Sequence, residues 1–243
     1  MRMLNFAKRN FKEMIRDPLS LIFEILLPLF LLFIFQQFNI PGEAYRLENF
    51  TPGIVVFGCA FITLFSATLV AKDRTTSLLV RLGTSPMRPS DYILGYMVSL
   101  IPIILLQNVL FFAAAVALGL KFSVNIVFAI LASLVVSVLF IALGILIGSL
   151  VSERATGGIG SIIVQLVCFT SGMYFSSELV GKVFSRICEF LPFESCLKII
   201  KGALTGDPGV ISIRNIVVFT VYTVVILVIA VAVFRKKMTG DDK

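Results

Sequence analysis

Residues 124–151 read VNIVFAILASLVVSVLFIALGILIGSLV, 28 positions without one charged side chain. At about 1.5 Å of rise per residue this stretch, as a helix, is some 40 Å long. The hydrocarbon core of a bilayer is about 30 Å thick. Apolar residues occupy all of its faces, which suits a membrane span and not the single buried stripe of a surface helix. Backbone groups in lipid must be satisfied within their own segment, so such a span is a helix.

Working outward, five more stretches meet the length requirement of about 20 residues: 19–38, 53–71, 92–120, 157–175 and 213–234. The composition agrees. Counting Gly in place of Tyr, apolar residues make up about 63% of the 243 positions, where a soluble domain has about 45–50%. Charged residues are 14%, against about 25% in an ordinary globular protein. The sequence therefore predicts an all-α membrane protein of six transmembrane helices. The first stretch follows a polar lead and is too long for a signal peptide. With no His in the chain, His-ligated metal sites and Ser-His-Asp catalysis are excluded.

Lys and Arg set the orientation. One side carries five in the N-terminal lead, four in the loop after the second span, Arg154, and four in the tail, making 14. The other side carries Arg46, Lys121, Lys182, Arg186, Lys198, Lys201 and Arg214. Both termini are predicted to be cytoplasmic, in a multi-pass protein of the cell membrane, of prokaryotic type. The net charge of +7 then sits against anionic lipid and implies no nucleic acid.

Two segments are neither span nor simple loop. In residues 1–18, Leu4, Phe6, Ala7, Phe11, Met14 and Ile15 recur at helical spacing, while Lys8, Arg9 and Lys12 lie mostly elsewhere. This predicts an amphipathic helix in the cytoplasmic interface. Residues 176–212, between spans five and six, show the same spacing up to Pro192 and a second apolar run from Phe193 to Leu204. Two short external helices follow, with a turn at Gly206-Asp207-Pro208-Gly209. Cys188 and Cys196 flank Pro192, and only a turn there could bring them within disulfide reach.

Several polar groups lie inside the apolar stretches. Glu24 is the only acid well within one, which makes it a functional-site candidate, although pairing with Arg16 or Lys72 near the interface would make it structural. Gln36, Ser66, Thr68, Gln165 and Ser171 are scattered candidates for a pathway. They form no acidic or basic ring. Gly157-Gly158-Ile159-Gly160 suits close helix packing. No G-x-x-x-x-G-K-[ST] is present, so no nucleotide phosphate is cradled by a P-loop.

The loop 72–91 carries most of the remaining information. Leu78, Leu79 and Leu82 form an apolar edge beside Arg74 and Arg81, closed by Ser85-Pro86. Such a segment suits either the interface or a groove on a cytoplasmic protein. The run Asp73-Arg74, Arg81-Leu82, Ser85-Pro86 and Gly95 resembles the coupling segment of ABC-2 type permeases, the membrane subunits of ABC exporters. Arg16-Asp17-Pro18-Leu19-Ser20-Leu21 with Pro28, Ser171-Gly172-Met173-Tyr174-Phe175, and Leu191-Pro192-Phe193 look like further parts of that pattern. Ser77 stands where many relatives carry Gly. The nearest branch is the drug-exporting one of daunorubicin-exporter type.

The resemblance implies a half-transporter with no catalytic residues and no bound cofactor. A second copy of the permease and two copies of a separate ABC ATPase, which holds ATP and Mg, would complete it. It further implies that residues 3–15, with Lys8, Arg9 and Lys12, and 74–86 receive the ATPase; Asp73, Arg74, Leu78, Arg81, Leu82, Ser85 and Pro86 are the coupling residues. The expected cargo is an amphiphilic or hydrophobic compound. Sodium-type cation extrusion and polysaccharide or glycolipid export are the alternatives, with a lipid-modifying membrane enzyme more distant.

Overall fold

A computed structural model of the chain describes residues 2–38, 43–76, 89–174 and 181–238. Nine α-helices are found among them: α1 (Arg2–Ile15), α2 (Pro18–Gln37), α3 (Leu47–Thr75), α4 (Pro89–Ala117), α5 (Asn125–Leu150), α6 (Glu153–Thr170), α7 (Lys182–Phe190), α8 (Pro192–Thr205) and α9 (Ile213–Met238). Two single 3-10 turns, Glu43–Tyr45 and Pro208–Val210, complete the set. No strand occurs among the described residues. α2, α4 and α8 each open on proline, whose fixed φ suits a first turn and whose missing N–H would have found no helical partner there.

The long helices alternate in direction between two ends of the molecule. α3, α4, α5 and α9 are long and apolar enough to cross a membrane; the apolar part of α2 is shorter. α6 carries Glu153 and Arg154 in its first turn and three glycines, and falls outside that group. Boundaries shift from the expected ones. The second span, expected at 53–71, is a 29-residue helix that begins at Leu47 and passes through Pro52. The fifth begins four residues earlier than expected and ends at Thr170. The Leu191-Pro192 break between α7 and α8 falls where the sequence placed it. α8 stops at Gly206, whose φ of +69° is a left-handed cap that glycine adopts without strain.

α3 is the central helix, with 78% of its apolar window buried, whereas α9 is peripheral at 11%. Around α3 lie α5, α6, α2, α8 and α4. One core cluster joins Phe50, Ile54, Phe57, Phe111, Phe140 and Phe193. A second, at the opposite end, joins Phe6, Met14, Tyr92, Tyr96, Ile145 and Phe234. The outer faces stay apolar: Phe128, Leu131 and Val135 on α5 and Val217, Val221, Val224 and Val228 on α9 are exposed. In water such a surface would be costly; against lipid tails it costs nothing.

The closest helix pair is α3 with α5, through Gly144-x-x-x-Gly148. A Cβ at Gly144 would lie 2.5 Å from the Thr63 carbonyl oxygen, and one at Gly148 would strike the Ala67 carbonyl. Thr63 and Ser66 donate their hydroxyls across this contact to the carbonyls of Phe140 (3.0 Å) and Ile141 (3.3 Å). The glycine cluster of α6, expected to serve packing, does so only at Gly160, which faces Leu64; Gly157 and Gly158 face open space. All four cysteines are free thiols and buried, so the break at Pro192 does not join Cys188 to Cys196.

Candidate functional site

Three consecutive residues at the end of α3 each tie it to a different neighbour. Asp73 is buried and accepts both arms of the Arg9 guanidinium of α1, Nη2 to Oδ1 at 2.6 Å and Nη1 to Oδ2 at 3.2 Å. The Tyr96 hydroxyl of α4 donates to Asp73 Oδ2 at 2.8 Å. Arg74 donates to the carbonyls of Gly148 (2.9 Å) and Val151 (3.2 Å), the unsatisfied end of α5. The Thr75 hydroxyl donates to Glu153 Oε2, at the start of α6, at 2.7 Å. One helical terminus thus holds α1, α4, α5 and α6 at once.

α1 is fixed by packing as well. Phe6 stands edge-on to Tyr92 (5.4 Å) and Tyr96 (5.0 Å), in space left by Gly95, where a Cβ would meet the Phe6 ring at 2.6 Å. Glu13 pairs with Arg9 at 2.7 Å and with Lys72 at 2.9 Å. Burial alone would lower the Arg9 pKa, but the hydrogen bond and charge of Asp73, then the charge of Glu13, raise it above the ordinary value. Arg9 therefore holds its charge throughout the usable pH range. Lys8 and Lys12 remain exposed and line a basic groove with Arg9, Arg16 and Lys72.

The sequence-predicted coupling residues thus separate. Asp73, Arg74 and Arg9 are engaged inside the fold, Lys8 and Lys12 face outward, and Leu78, Arg81, Leu82, Ser85 and Pro86 lie outside the described residues. Both flanks of that segment, Thr76 after α3 and Pro89 at the start of α4, adjoin the anchored network.

A second feature is a cavity of about 360 Å³ between α1, α2, α3 and the start of α6. Phe61, Leu64, Phe65, Thr68, Leu69 and Lys72 line it from α3 at helical spacing; Phe23 and Glu24 line it from α2. Glu24 is 2% exposed, and neither carboxylate oxygen has a hydrogen-bond partner. The expected pairing with Arg16 or Lys72 is not formed, because Lys72 is turned to Glu13.

Of the other pathway candidates, only Thr68 reaches this cavity, with its hydroxyl returned to the Leu64 carbonyl at 2.9 Å. Ser66 is spent on the α3–α5 contact. Gln36 donates to the Tyr45 carbonyl at 2.8 Å, at the far end, where Tyr45 also donates to the Tyr174 carbonyl at 2.9 Å. Ser171 is buried near that end, and Gln165 is exposed on α6. Sequence reasoning missed Tyr96, Thr75 and Glu13; the Arg9–Glu13 spacing of four on a helix was the available signal for the last. Among the described residues, no three His, Cys, Asp or Glu side chains converge as a metal site.

The arrangement is that of a membrane-spanning helical bundle with a buried, hydrogen-bonded charged network at one end, beside an amphipathic helix. The profile of the ABC-2 type transporter family matches residues 3–204, and the chain belongs to that family. It is a permease, the multi-pass membrane subunit of an ABC transporter, a family that works with an ABC ATPase partner. No curated protein matches the chain significantly.

Proposed function

We propose that this permease exports an amphiphilic or hydrophobic compound, as in the drug-exporting branch that its motifs resemble. In this reading it crosses the cell membrane of a prokaryote six times with both termini in the cytoplasm. It pairs with a second copy of itself and with two ATPases that bind ATP and Mg.

The observation that supports the reading is the run Asp73-Arg74-Thr75, bonded to α1, α4, α5 and α6 at the start of the expected coupling segment. A push on residues 74–86 from an ATPase groove would meet this terminus first. Rigid hydrogen-bonded elements with two arrangements carry such coupling. The helices bound to it would then move together, opening a path outward for cargo from the cytoplasm or the inner leaflet.

The test is co-expression with its ABC ATPase partner. Arg81→Glu reverses a charge at the proposed contact, and Leu82→Asp places a carboxylate on its apolar edge, each worth several kcal/mol at an interface. Both variants should reach the membrane at normal levels, yet fail to co-purify with the ATPase or to export. Lys182→Glu, at the other end, should leave association intact. Full association and transport by both loop variants would overturn the coupling assignment.

A further inference from the structure

We infer that the cavity between α1, α2, α3 and α6 is a binding site for an amphiphilic organic cation, with Glu24 as its counter-charge. The inference rests on the exporter reading above and names the class of cargo.

Two observations converge, an aromatic lining and an unpartnered carboxylate. The lining is rich in aromatics: Phe61 and Phe65 stand one turn apart on α3, and Phe23, largely exposed, joins it from α2. A cation near the face of an aromatic ring gains about 0.5–2 kcal/mol, most when desolvated. Of the acidic side chains in the lining, Glu13 is already held by Arg9 and Lys72, and Glu24 is the one whose carboxylate meets no partner within the fold. Glu24 is buried and both its oxygens lack a partner, so its charged form costs several kcal/mol unless a cation or a proton neutralises it.

An inorganic ion fits poorly. Calcium takes six to eight oxygen ligands, and magnesium close to octahedral oxygen coordination. Here one carboxylate stands among phenyl rings. Bulk matters too, since 360 Å³ lies within the range of sites for drug-sized organic molecules. Gly157 supplies the opening. A Cβ there would meet nothing within 4 Å, so the start of α6 leaves one side of the cavity clear.

Tetraphenylphosphonium and tetraphenylborate provide the test, being nearly equal in size and opposite in charge. Binding is measured on the full chain in nanodiscs, and ATPase stimulation and export on the complex with its ATPase; the neutral dye N-phenyl-1-naphthylamine is included. Wild type should bind the phosphonium at least tenfold more tightly than the borate. Glu24→Gln keeps the side chain's shape and should abolish that preference. Gly157→Leu, whose Cβ meets no neighbour, adds bulk to the lining and should weaken phosphonium binding by a similar factor. Equal binding of both ions, a borate preference, or an unchanged preference in Glu24→Gln would overturn the cation site. The exporter reading itself falls on a different result: none of the three probes, charged or neutral, stimulates the ATPase or is exported.

Discussion

Removing the Asp73 carboxylate should release α1. Asp73→Ala leaves the Tyr96 hydroxyl buried with no acceptor, which costs about 1–3 kcal/mol. It also takes the fork partner from Arg9. That side chain is 36% exposed and keeps Glu13 at 2.7 Å, so the loss there is screened to about 1 kcal/mol. The total of about 3 kcal/mol corresponds to roughly a hundredfold rise in the undocked population of α1. Asp73→Asn retains one acceptor and the volume, and should show about half the free-energy effect. Tyr96→Phe loses one charge-assisted hydrogen bond, about 1.5 kcal/mol, and should fall near it. The assay is limited trypsin digestion of the intact permease in nanodiscs, read at Lys8, Arg9 and Lys12, which lie within α1 and become cleavable when it leaves α4. Where opening is fast relative to cleavage, the rate follows the open population. Cleavage of Asp73→Ala at the wild-type rate would refute the clamp, as would a Tyr96→Phe effect larger than that of Asp73→Ala.

Gly148→Leu drives a side chain into the Ala67 carbonyl and should abolish folding, read as loss of monodisperse protein, whereas Gly158→Ala, facing open space, should leave the melting temperature unchanged or raised. Arg74→Ala leaves the Gly148 and Val151 carbonyls without their donor and should lower the melting temperature by an amount equivalent to about 1–3 kcal/mol, with Arg74→Lys recovering part of it. The four cysteines are buried free thiols, so they should react with a maleimide only after unfolding, and reductant should not change the melting temperature.

The long helices were readable because an apolar run such as 124–151 has one physical solution in lipid. The break at Leu191-Pro192 was readable because proline forbids the continuing hydrogen bond. Helix ends were less so. Leu47–Phe50 extends α3 beyond its apolar run, held by local bonds such as the Asn49 side chain to the Glu43 carbonyl, which no hydropathy count records. At the site, Asp73 and Arg9 were singled out as contacts for a partner, yet the fold uses them on each other. They lie 64 positions apart, and pairing over that distance leaves no periodic trace. The α3–α5 contact was within reach, since Gly144-x-x-x-Gly148 is the small-residue spacing that lets membrane helices approach. The denser cluster at 157–160 is the weaker packing signal, since Gly157 and Gly158 face open space.

The Gly144–Gly148 contact sits off-centre along α3, opposite Thr63 to Ala67. From there to Asp73 is about 12 Å of helix, and to Gly53, which packs on Met173 at the far end, about 18 Å. With backbone against backbone at that point there is no slack between the two helices, so a tilt of α3 against α5 pivots there and strains the Arg74 bonds at the short end. The geometry is that of an unequal seesaw. A rotation that carries Asp73 through 2 Å swings Gly53 about 3 Å in the opposite sense, so a small displacement where the charges gather becomes a larger one under Met173.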